Sequence, residues 1–170
     1  MRTKSSVNDE RLLAMIDSAM AEINRVCEPK SLYRIFDCEV TDTALKIENF
    51  VFESRRLAKN LAGCRRVAVL AATVGVNGDM LLRKYAADGA MLLIMQASLA
   101  SKIEAVCDAL QAQIETKENV KTRQRYSPGY FDLAITEQKK IFKLMDITKR
   151  CGITLSDTCQ MIPTKSVTAF

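Results

Sequence analysis

The sequence predicts a single α+β domain over residues 1–170, with a mostly antiparallel sheet packed against several helices, one of them a long central helix. Three observations predict this fold class. The chain has 170 residues, 48% of them hydrophobic, which is the size of one globular domain. Some segments repeat apolar residues every three or four positions, whereas others are short apolar runs of strand length. No repeat, low-complexity tract or linker divides the chain.

Each predicted element follows from a local pattern. Ser6-x-x-Asp9 resembles a capping box at the start of an amphipathic segment, and Pro29 stops that segment. The segment after residue 90 is rich in Ala, Ser and Leu, which predicts a buried central helix. The elements predicted in chain order are a helix over about residues 8–26, strands over Leu32–Val40 and Leu45–Phe52, a helix over Ser54–Leu61 closed by Gly63, a strand over Val67–Ala72, helices over Met80–Ala87, Ala90–Gln113 and Ile135–Thr148, and short strands over Ile153–Leu155 and Val167–Phe170.

Thr73–Asp79 is a glycine-containing turn between a predicted strand and a predicted helix. Such a unit can hold a phosphate at the helix N-terminus. The pattern here is only G-x-x-G, without a Walker lysine or a full G-x-G-x-x-G. A structural turn is therefore the preferred interpretation, with nucleotide binding as the alternative.

The chain contains no histidine. This excludes Ser-His-Asp and Cys-His catalysis, zinc sites with imidazole ligands, a histidine general base, and a histidine ligand to cobalt or haem. Acid–base chemistry would have to come from Asp, Glu, Lys, Tyr or Cys. Most classes of hydrolase are excluded at this point, and no catalytic residue is predicted.

The six cysteines show no C-x-x-C spacing, so no metal site is predicted. The N-terminal residues are polar and lack the apolar core of a signal peptide. We therefore expect reduced thiols and a cytoplasmic location. The best apolar run, Ala90–Ala100, is interrupted by Gln96 and is shorter than the roughly 20 residues that a membrane span needs, so no membrane association is expected.

The formal net charge of +5 is concentrated in one stretch. Residues 117–150 carry nine basic and four acidic side chains, whereas the residues before and after them balance to zero. This stretch is either a solvated face or a surface that meets something negative.

Within this stretch, residues 123–132 do not resemble an ordinary connection. Pro128-Gly129 predicts a turn, with type II as the natural choice. Arg125 offers a planar fork for a carboxylate or phosphate, and Tyr126 and Tyr130 offer flat faces for a purine or a cation. These parts could hold a nucleoside cation that bears an amino acid. The alternative is a surface loop in which an Arg–Tyr stack closes over the last helix.

Two motifs carry a resemblance to a known family. Arg125-Tyr-Ser-Pro-Gly-Tyr130 resembles the R-x-x-P-G-Y signature of the activation (reactivation) domain of cobalamin-dependent methionine synthase. The run from Gly152 to Val167 resembles the next block of that family, in which G-x-x-L-T-[DE]-S leads to M-x-P-x-x-S-V. The mid-chain stretch Leu61–Gly75 is similar to small stand-alone members. The resemblance covers about residues 55–170.

The resemblance implies a function and a set of binding residues. The family domain binds S-adenosylmethionine (AdoMet) and serves the repair of cobalamin that has slipped to the inactive cob(II)alamin state. Cobalamin is bound by a separate corrinoid-binding methyltransferase module, and a flavodoxin-like donor supplies an electron. By carry-over, Arg125 holds the AdoMet carboxylate, the backbone of Ser127 and Pro128 meets the adenosine, Gly129 permits the turn, and Tyr130 lines the site. Such a chain is a component and not a complete enzyme.

The sequence departs from the family pattern at two points. The family uses an acidic residue near its N-terminus, for which only Glu48 and Asp42 are conceivable substitutes here. It also uses a tyrosine beyond the M-x-P-x-x-S-V block, which has no counterpart in this sequence. These departures keep open a second hypothesis, an interaction subunit of a corrinoid methyltransferase that has lost AdoMet binding.

A third hypothesis is nucleic-acid binding through residues 117–150, where cations interleave with aromatic residues. The isoelectric point of about 8.9 is modest, and no nucleic-acid-binding motif is present. This hypothesis is therefore the least favoured of the three.

Overall fold

The structure, a computed structural model, describes residues 4–170, with side chains from Glu10 onward. Six helices are described: α1 (Lys4–Val26), α2 (Arg55–Asn60), α3 (Val76–Lys84), α4 (Gly89–Glu118), α5 (Gln138–Leu144) and α6 (Ile147–Cys151). The strands are β1 (Lys30–Asp37), β2 (Glu39–Val40), β3 (Ala44–Ile47), β4 (Phe50–Glu53), β5 (Arg66–Thr73), β6 (Thr154–Leu155), β7 (Met161–Ile162) and β8 (Ser166–Ala169).

Strand β5 is the centre of the fold. It pairs antiparallel with β1 on one side and with β8 on the other. Its sequence is almost entirely apolar because both of its faces are covered. Val67, Val69 and Ala71 point into the core shared with α2, α5 and α6, whereas Leu70 and Ala72 belong to the cores on the opposite face, where α4 packs. A second antiparallel sheet, β2-β3-β4, and the β6-β7 hairpin complete the architecture.

Helix α4 is the long central helix that the sequence predicts. Its buried residues recur every three or four positions, among them Met95, Leu99, Ile103 and Cys107. It contacts α1, α3 and the central sheet, and it ends at Asn119 in a left-handed conformation. Of the helices in the described residues, α4 is the one that is long and apolar enough to cross a membrane, judged by length and composition alone. The core helices of globular proteins pass the same test. The sequence-based statement that no apolar stretch reaches that length was therefore too restrictive.

The G-x-x-G turn is part of the packing between α3 and α4. Helix α3 begins at Val76 and not at Met80, so the second glycine of the motif, Gly78, lies inside the helix. A Cβ atom on Gly78 would lie 2.8 Å from Cγ2 of Val74 and 3.4 Å from Cδ2 of Leu99. The close approach of α3 to its neighbours accounts for this glycine, which supports the structural interpretation of the turn.

The α+β fold class and the antiparallel pairing are confirmed, but three predicted elements are divided and one strand was missed. The predicted strand over Leu32–Val40 is divided between β1 and β2, which belong to different sheets. Residues 45–52 are a hairpin and not one strand, because the chain turns at Glu48, where φ is 50°. The predicted helix over 135–148 is divided into a 3₁₀ turn and α5, and extended backbone at Met145 separates α5 from α6. Strand β7 was missed, since two residues carry too little pattern. The predicted capping box at Ser6 and Asp9 lies outside the side chains that the structure describes.

Candidate ligand-binding site

A groove of about 1350 Å³ runs along the segment that carries the R-x-x-P-G-Y motif. One wall is the exposed face of α4, and the opposite wall is the C-terminal region from Thr158 to Thr168. The residues of the motif that line it are Arg125, Tyr126, Ser127, Pro128 and Tyr130. The two motifs that the sequence singles out therefore face one common space.

The turn within the motif has the geometry that the sequence predicts. The backbone N–H of Tyr130 donates to the carbonyl of Ser127 at 3.3 Å, and Gly129 has φ of 92°. A positive φ at the third residue is the mark of a type II turn. The Gly129 N–H then donates to the Leu133 carbonyl at 2.8 Å, which ties the turn to the chain that follows.

Asp132 clamps the turn to the N-terminus of α2. Its carboxylate accepts hydrogen bonds from the Ser54 hydroxyl at 2.5 Å, the Arg56 N–H at 3.2 Å and the Tyr126 hydroxyl at 3.2 Å. Of these, the hydrogen bond from Ser54 does most to lower the pKa of Asp132 below its ordinary value. Burial raises the pKa of Tyr126. The clamp explains how an exposed turn keeps one geometry.

Backbone hydrogen bonds join the motif to the end of β8. Tyr126 donates to the carbonyl of Phe170 at 3.1 Å and accepts from the N–H of Phe170 at 3.0 Å. Asn60 adds a hydrogen bond from its side-chain amide to the carbonyl of Gln124 at 2.9 Å. Since β8 pairs with the central strand, the motif is fixed to the core of the fold.

Arg125 lies at the α4 side of the groove. Its guanidinium nitrogens lie 3.0 Å from a carboxylate oxygen of Glu104, 2.8 Å from one of Asp108 and 2.7 Å from the amide oxygen of Gln111. Partial burial lowers the pKa of Arg125, but the hydrogen bond to Asp108 and the nearby negative charges outweigh this and raise it overall. The Arg125 side chain is 21% exposed, whereas those of Glu104 and Asp108 are 63% and 70% exposed. The cation is held, while both carboxylates remain open to other partners.

A second set of contacts holds the segment between α4 and the motif, residues 119–125, which we call the strap. The N–H and hydroxyl of Thr122 donate to the Glu115 carboxylate at 2.9 and 2.6 Å. The hydrogen bond from the Thr122 hydroxyl is the main cause of a lowered pKa of Glu115. Gln111 donates to the Thr122 hydroxyl at 2.7 Å, so the same glutamine contacts both the strap and Arg125.

The rim of the groove is apolar and exposed. Tyr130, Phe131 and Ile162 are 65%, 74% and 53% exposed. Phe131 has φ of 53°, which is unusual for a bulky residue, and the Arg56 guanidinium lies 4.3 Å from its ring centre. Backbone strain of this kind is concentrated at functional sites.

The structure brings four of the five predicted site residues into the groove, namely Arg125, Ser127, Pro128 and Tyr130. Gly129 shapes the turn and does not line the groove. Neither Glu48 nor Asp42 lines it either. Glu104 and Asp108 were missed, although two acids four residues apart in the middle of a long helix lie on the same face of it.

The chemistry available in the groove is binding and orientation. Among the described residues no group of His, Cys, Asp and Glu could hold a metal ion. All six cysteines are free thiols, and the one that lines the groove, Cys159, is buried, with 3% of its surface exposed. What remains is an arginine between two carboxylates, a fixed turn and an apolar rim. A groove with these features is suited to binding a small molecule.

Comparisons with known proteins identify the family. The family model for the activation domain of vitamin B12 dependent methionine synthase matches residues 37–170, so the chain belongs to this family. A crystal structure of the MetH reactivation domain bound to AdoHcy is similar in fold, with a TM-score of 0.75 and 17% sequence identity. The alignment covers 99% of this chain and 66% of that one, so this chain spans slightly less than two thirds of its length. No curated protein matches the sequence significantly.

Proposed function

We propose that this chain binds AdoMet in the groove and presents it to a cobalamin carried by a separate corrinoid-binding methyltransferase module. It would thereby serve the reductive reactivation of a methyltransferase such as methionine synthase, in methionine biosynthesis in the cytoplasm. The observation that carries the proposal is the position of Arg125, between two exposed carboxylates of α4 and the R-x-x-P-G-Y turn. Membership of the family and the similar fold of the AdoHcy-bound MetH domain support it.

The charges beside Arg125 match the amino-acid end of AdoMet. The ligand carboxylate pairs with the Arg125 guanidinium, whose planar fork suits a carboxylate. The ligand ammonium pairs with Glu104 or Asp108, which are exposed enough to turn toward it. One of the two existing ion pairs is thus exchanged for two new ones, and the other acid can keep its contact with Arg125.

The turn matches the nucleoside end. Its backbone is fixed by the bond from Tyr130 to Ser127 and by the Asp132 clamp, so its polar groups are oriented before the ligand arrives. The Ser127 hydroxyl has no hydrogen-bond partner within residues 4–170, so it is free to meet the ribose or the base. Tyr130 offers a ring face to the purine or to the sulfonium.

The groove is larger than a single small ligand requires, since pockets for drug-sized molecules measure about 300–1,000 Å³. The apolar rim formed by Tyr130, Phe131 and Ile162 borders the open side. A second partner can approach there, which is the arrangement needed to bring a bound methyl donor to a cofactor held by another protein. AdoMet itself supplies an electrophilic methyl group, and a flavodoxin-like donor would supply the electron.

Isothermal titration calorimetry with AdoMet, AdoHcy and methylthioadenosine tests the proposal. Methylthioadenosine keeps the nucleoside but lacks the amino-acid end. Arg125→Ala should lower the affinity for AdoMet and AdoHcy by about ten- to about a hundredfold, as expected for losing about 1.5–3 kcal/mol of charge-assisted hydrogen bonding. The affinity for methylthioadenosine should not change. Lys143→Ala, which removes an exposed cation of α5, is the matched control and should bind like the wild type.

Two outcomes would contradict the proposal. If no nucleoside binds, with or without a cobalamin-loaded partner, AdoMet binding is excluded. Complex formation with a corrinoid protein without AdoMet binding would then favour the interaction subunit. Equal loss of all three ligands in Arg125→Ala would mean that Arg125 does not read the amino-acid end. Steeply salt-dependent retention on single-stranded nucleic acid would instead favour the nucleic-acid hypothesis.

A further inference from the structure

Behind the strap lies a second cavity, of about 310 Å³, which we call the strap pocket. It is bounded by the last turns of α4, the beginning of β5 and the strap itself. Its volume is at the lower end of the range for small-molecule sites. Since a cavity of about 150 Å³ holds one benzene, this pocket has room for a body about twice that size.

The floor of the strap pocket is apolar. It is formed by side chains that are nearly inaccessible to solvent, including Leu70 at 3%, Ile114 at 2% and Phe170 at 8% exposure. Leu61 and Val67, at 5% and 4%, extend this surface. Water in such a space finds few hydrogen-bond partners, so an apolar group that displaces it is favoured.

The mouth of the strap pocket is cationic. Its lining includes five cations, Arg65, Arg66, Lys121, Arg123 and Arg125, against one acid, Glu118. Of these, Arg125 is already paired with Glu104 and Asp108. Arg66 lies 3.9 Å from Glu118, and Arg123 donates to a backbone carbonyl. The side chain of Arg65 has no ion-pair or hydrogen-bond partner in the part of the chain that the structure describes. Lys121 is held only by a longer-range attraction to the Glu115 carboxylate, whose pKa it helps to lower.

The basic residues of the stretch 117–150 are spread by the fold over several places, among them the strap, α5 and α6. Lys121 and Arg123 lie on the strap, where they join two arginines from the beginning of β5, Arg65 and Arg66. Lys139 and Lys143 lie on α5 instead. The concentration of cations at one apolar cavity is therefore produced by the fold, and it is not visible in the charge distribution along the chain.

We infer that the strap pocket binds a small amphipathic anion, a carboxylate on a medium-chain aliphatic or aromatic body. The apolar body lies against Ile114, Leu70 and Phe170, and the carboxylate lies at the mouth near Arg65 and Lys121. A nucleotide does not suit this pocket, because the floor offers few polar groups to a base or a ribose. The inference is independent of AdoMet binding, although Gln111, Gln124 and Arg125 line both cavities.

The test is a titration of the full chain followed by ¹H–¹⁵N NMR. The probes are 2-naphthoate and octanoate, with the neutral 2-naphthylmethanol and the cationic 2-naphthylmethylammonium as matched controls. We expect saturable binding of both carboxylates, with shifts concentrated in the strap and in the last turns of α4. The alcohol should bind about tenfold more weakly, and the ammonium should bind more weakly still.

Variants separate the charge from the cavity. The double substitution Arg65→Gln and Lys121→Gln should lower the affinity for 2-naphthoate by about tenfold. Lys139→Gln with Lys143→Gln changes the net charge equally and should have no effect. Ile114→Trp should fill the cavity and abolish binding. If that variant fails to fold, by circular dichroism, the charge variants still decide.

Three results would overturn the inference: no saturable binding of either carboxylate at millimolar concentration, equal affinity for the anionic and cationic probes, or shifts located away from the strap pocket. Failure here leaves AdoMet binding untouched, because methylthioadenosine and AdoMet are measured in separate titrations at the groove.

Discussion

Replacing Gly129 by alanine tests whether the geometry of the turn shapes the groove. Gly129 has φ of 92°, and a Cβ atom there would lie 3.0 Å from Cδ1 of Ile135. The substitution therefore adds backbone strain and a contact with a neighbouring side chain. It introduces no charge and removes no hydrogen-bonding group.

The two effects can be estimated separately. A non-glycine residue in left-handed backbone costs about 1–2 kcal/mol. Ile135 is 45% exposed, so its end can move, at a cost of about 0.5–1.5 kcal/mol for an off-rotamer side chain. The sum is about 1.5–3.5 kcal/mol. For a domain of this size 1 kcal/mol corresponds to about 2–4 °C, so the melting temperature should fall by about 3 to about 14 °C.

Gly63→Ala is the matched control. Gly63 also has a positive φ, of 80°, but nothing lies within 4 Å of the position that its Cβ would take. This variant should lose only the backbone term, about 1–2 kcal/mol. Scanning calorimetry gives the stabilities, and calorimetric titration with methylthioadenosine gives the affinity for the nucleoside.

The turn residues contact the nucleoside end of the ligand in the proposed site. Gly129→Ala should therefore lower the affinity for methylthioadenosine by about two- to about tenfold, which corresponds to the free energy of one hydrogen bond. Gly63→Ala should bind normally. A Gly129→Ala protein that is as stable as the wild type and binds normally would show that the geometry of the turn does not shape the groove. If Gly63→Ala lost the same affinity, the effect would not come from the turn.

Three further predictions concern stability. Asp132→Asn should lower stability at neutral pH and flatten its pH dependence. The pKa of Asp132 is lower in the folded protein than in the unfolded chain. The stabilisation is therefore present above the pKa of the unfolded chain, and it is lost as the pH falls through the pKa of the folded protein. Urea unfolding from neutral to acidic pH measures this loss. Gly78→Ala should destabilise the protein by about 1–3 kcal/mol through overpacking, and the better helix propensity of alanine should offset about 1 kcal/mol of this loss. Gly89→Ala is the control, because the space around its Cβ position is open, and in the same urea experiment it should be neutral or stabilising. Met95 is fully buried, so Met95→Ala should lower the free energy of unfolding by about 2–5 kcal/mol, as measured by thermal unfolding. A loss smaller than that of a surface substitution would contradict the placement of α4 in the core.

The elements predicted from the sequence are those with long, regular patterns. Helix α4 repeats buried residues over eight turns, and β5 is a continuous apolar run, so both are evident without tertiary information. The hairpin at Glu48 and the break at Met145 were missed, because neither contains a glycine or proline to mark it. Strand β7 depends on its pairing with β6, and its own two residues carry no pattern that predicts it.

Some residues of the candidate site could also be predicted from the sequence, whereas others could not. Arg125, Pro128 and Gly129 belong to one short motif, so their grouping and the positive φ at Gly129 follow from the sequence. Glu104 and Asp108 lie about 20 residues earlier, and only the packing of the strap against α4 brings them to Arg125. The meeting of these two carboxylates with Arg125 is therefore a property of the tertiary structure.

The fold class, the family and the position of the turn could all be predicted from the amino-acid sequence, because each depends on residues close together in the chain. The absence of histidine also excluded histidine chemistry. Which charges meet became evident from the folded structure alone. It placed Arg125 against two acids in the groove, and it gathered Arg65 and Lys121, 56 positions apart, at the mouth of one apolar cavity. Electrostatic interactions act through space, so a count of charges along the chain cannot show where they act.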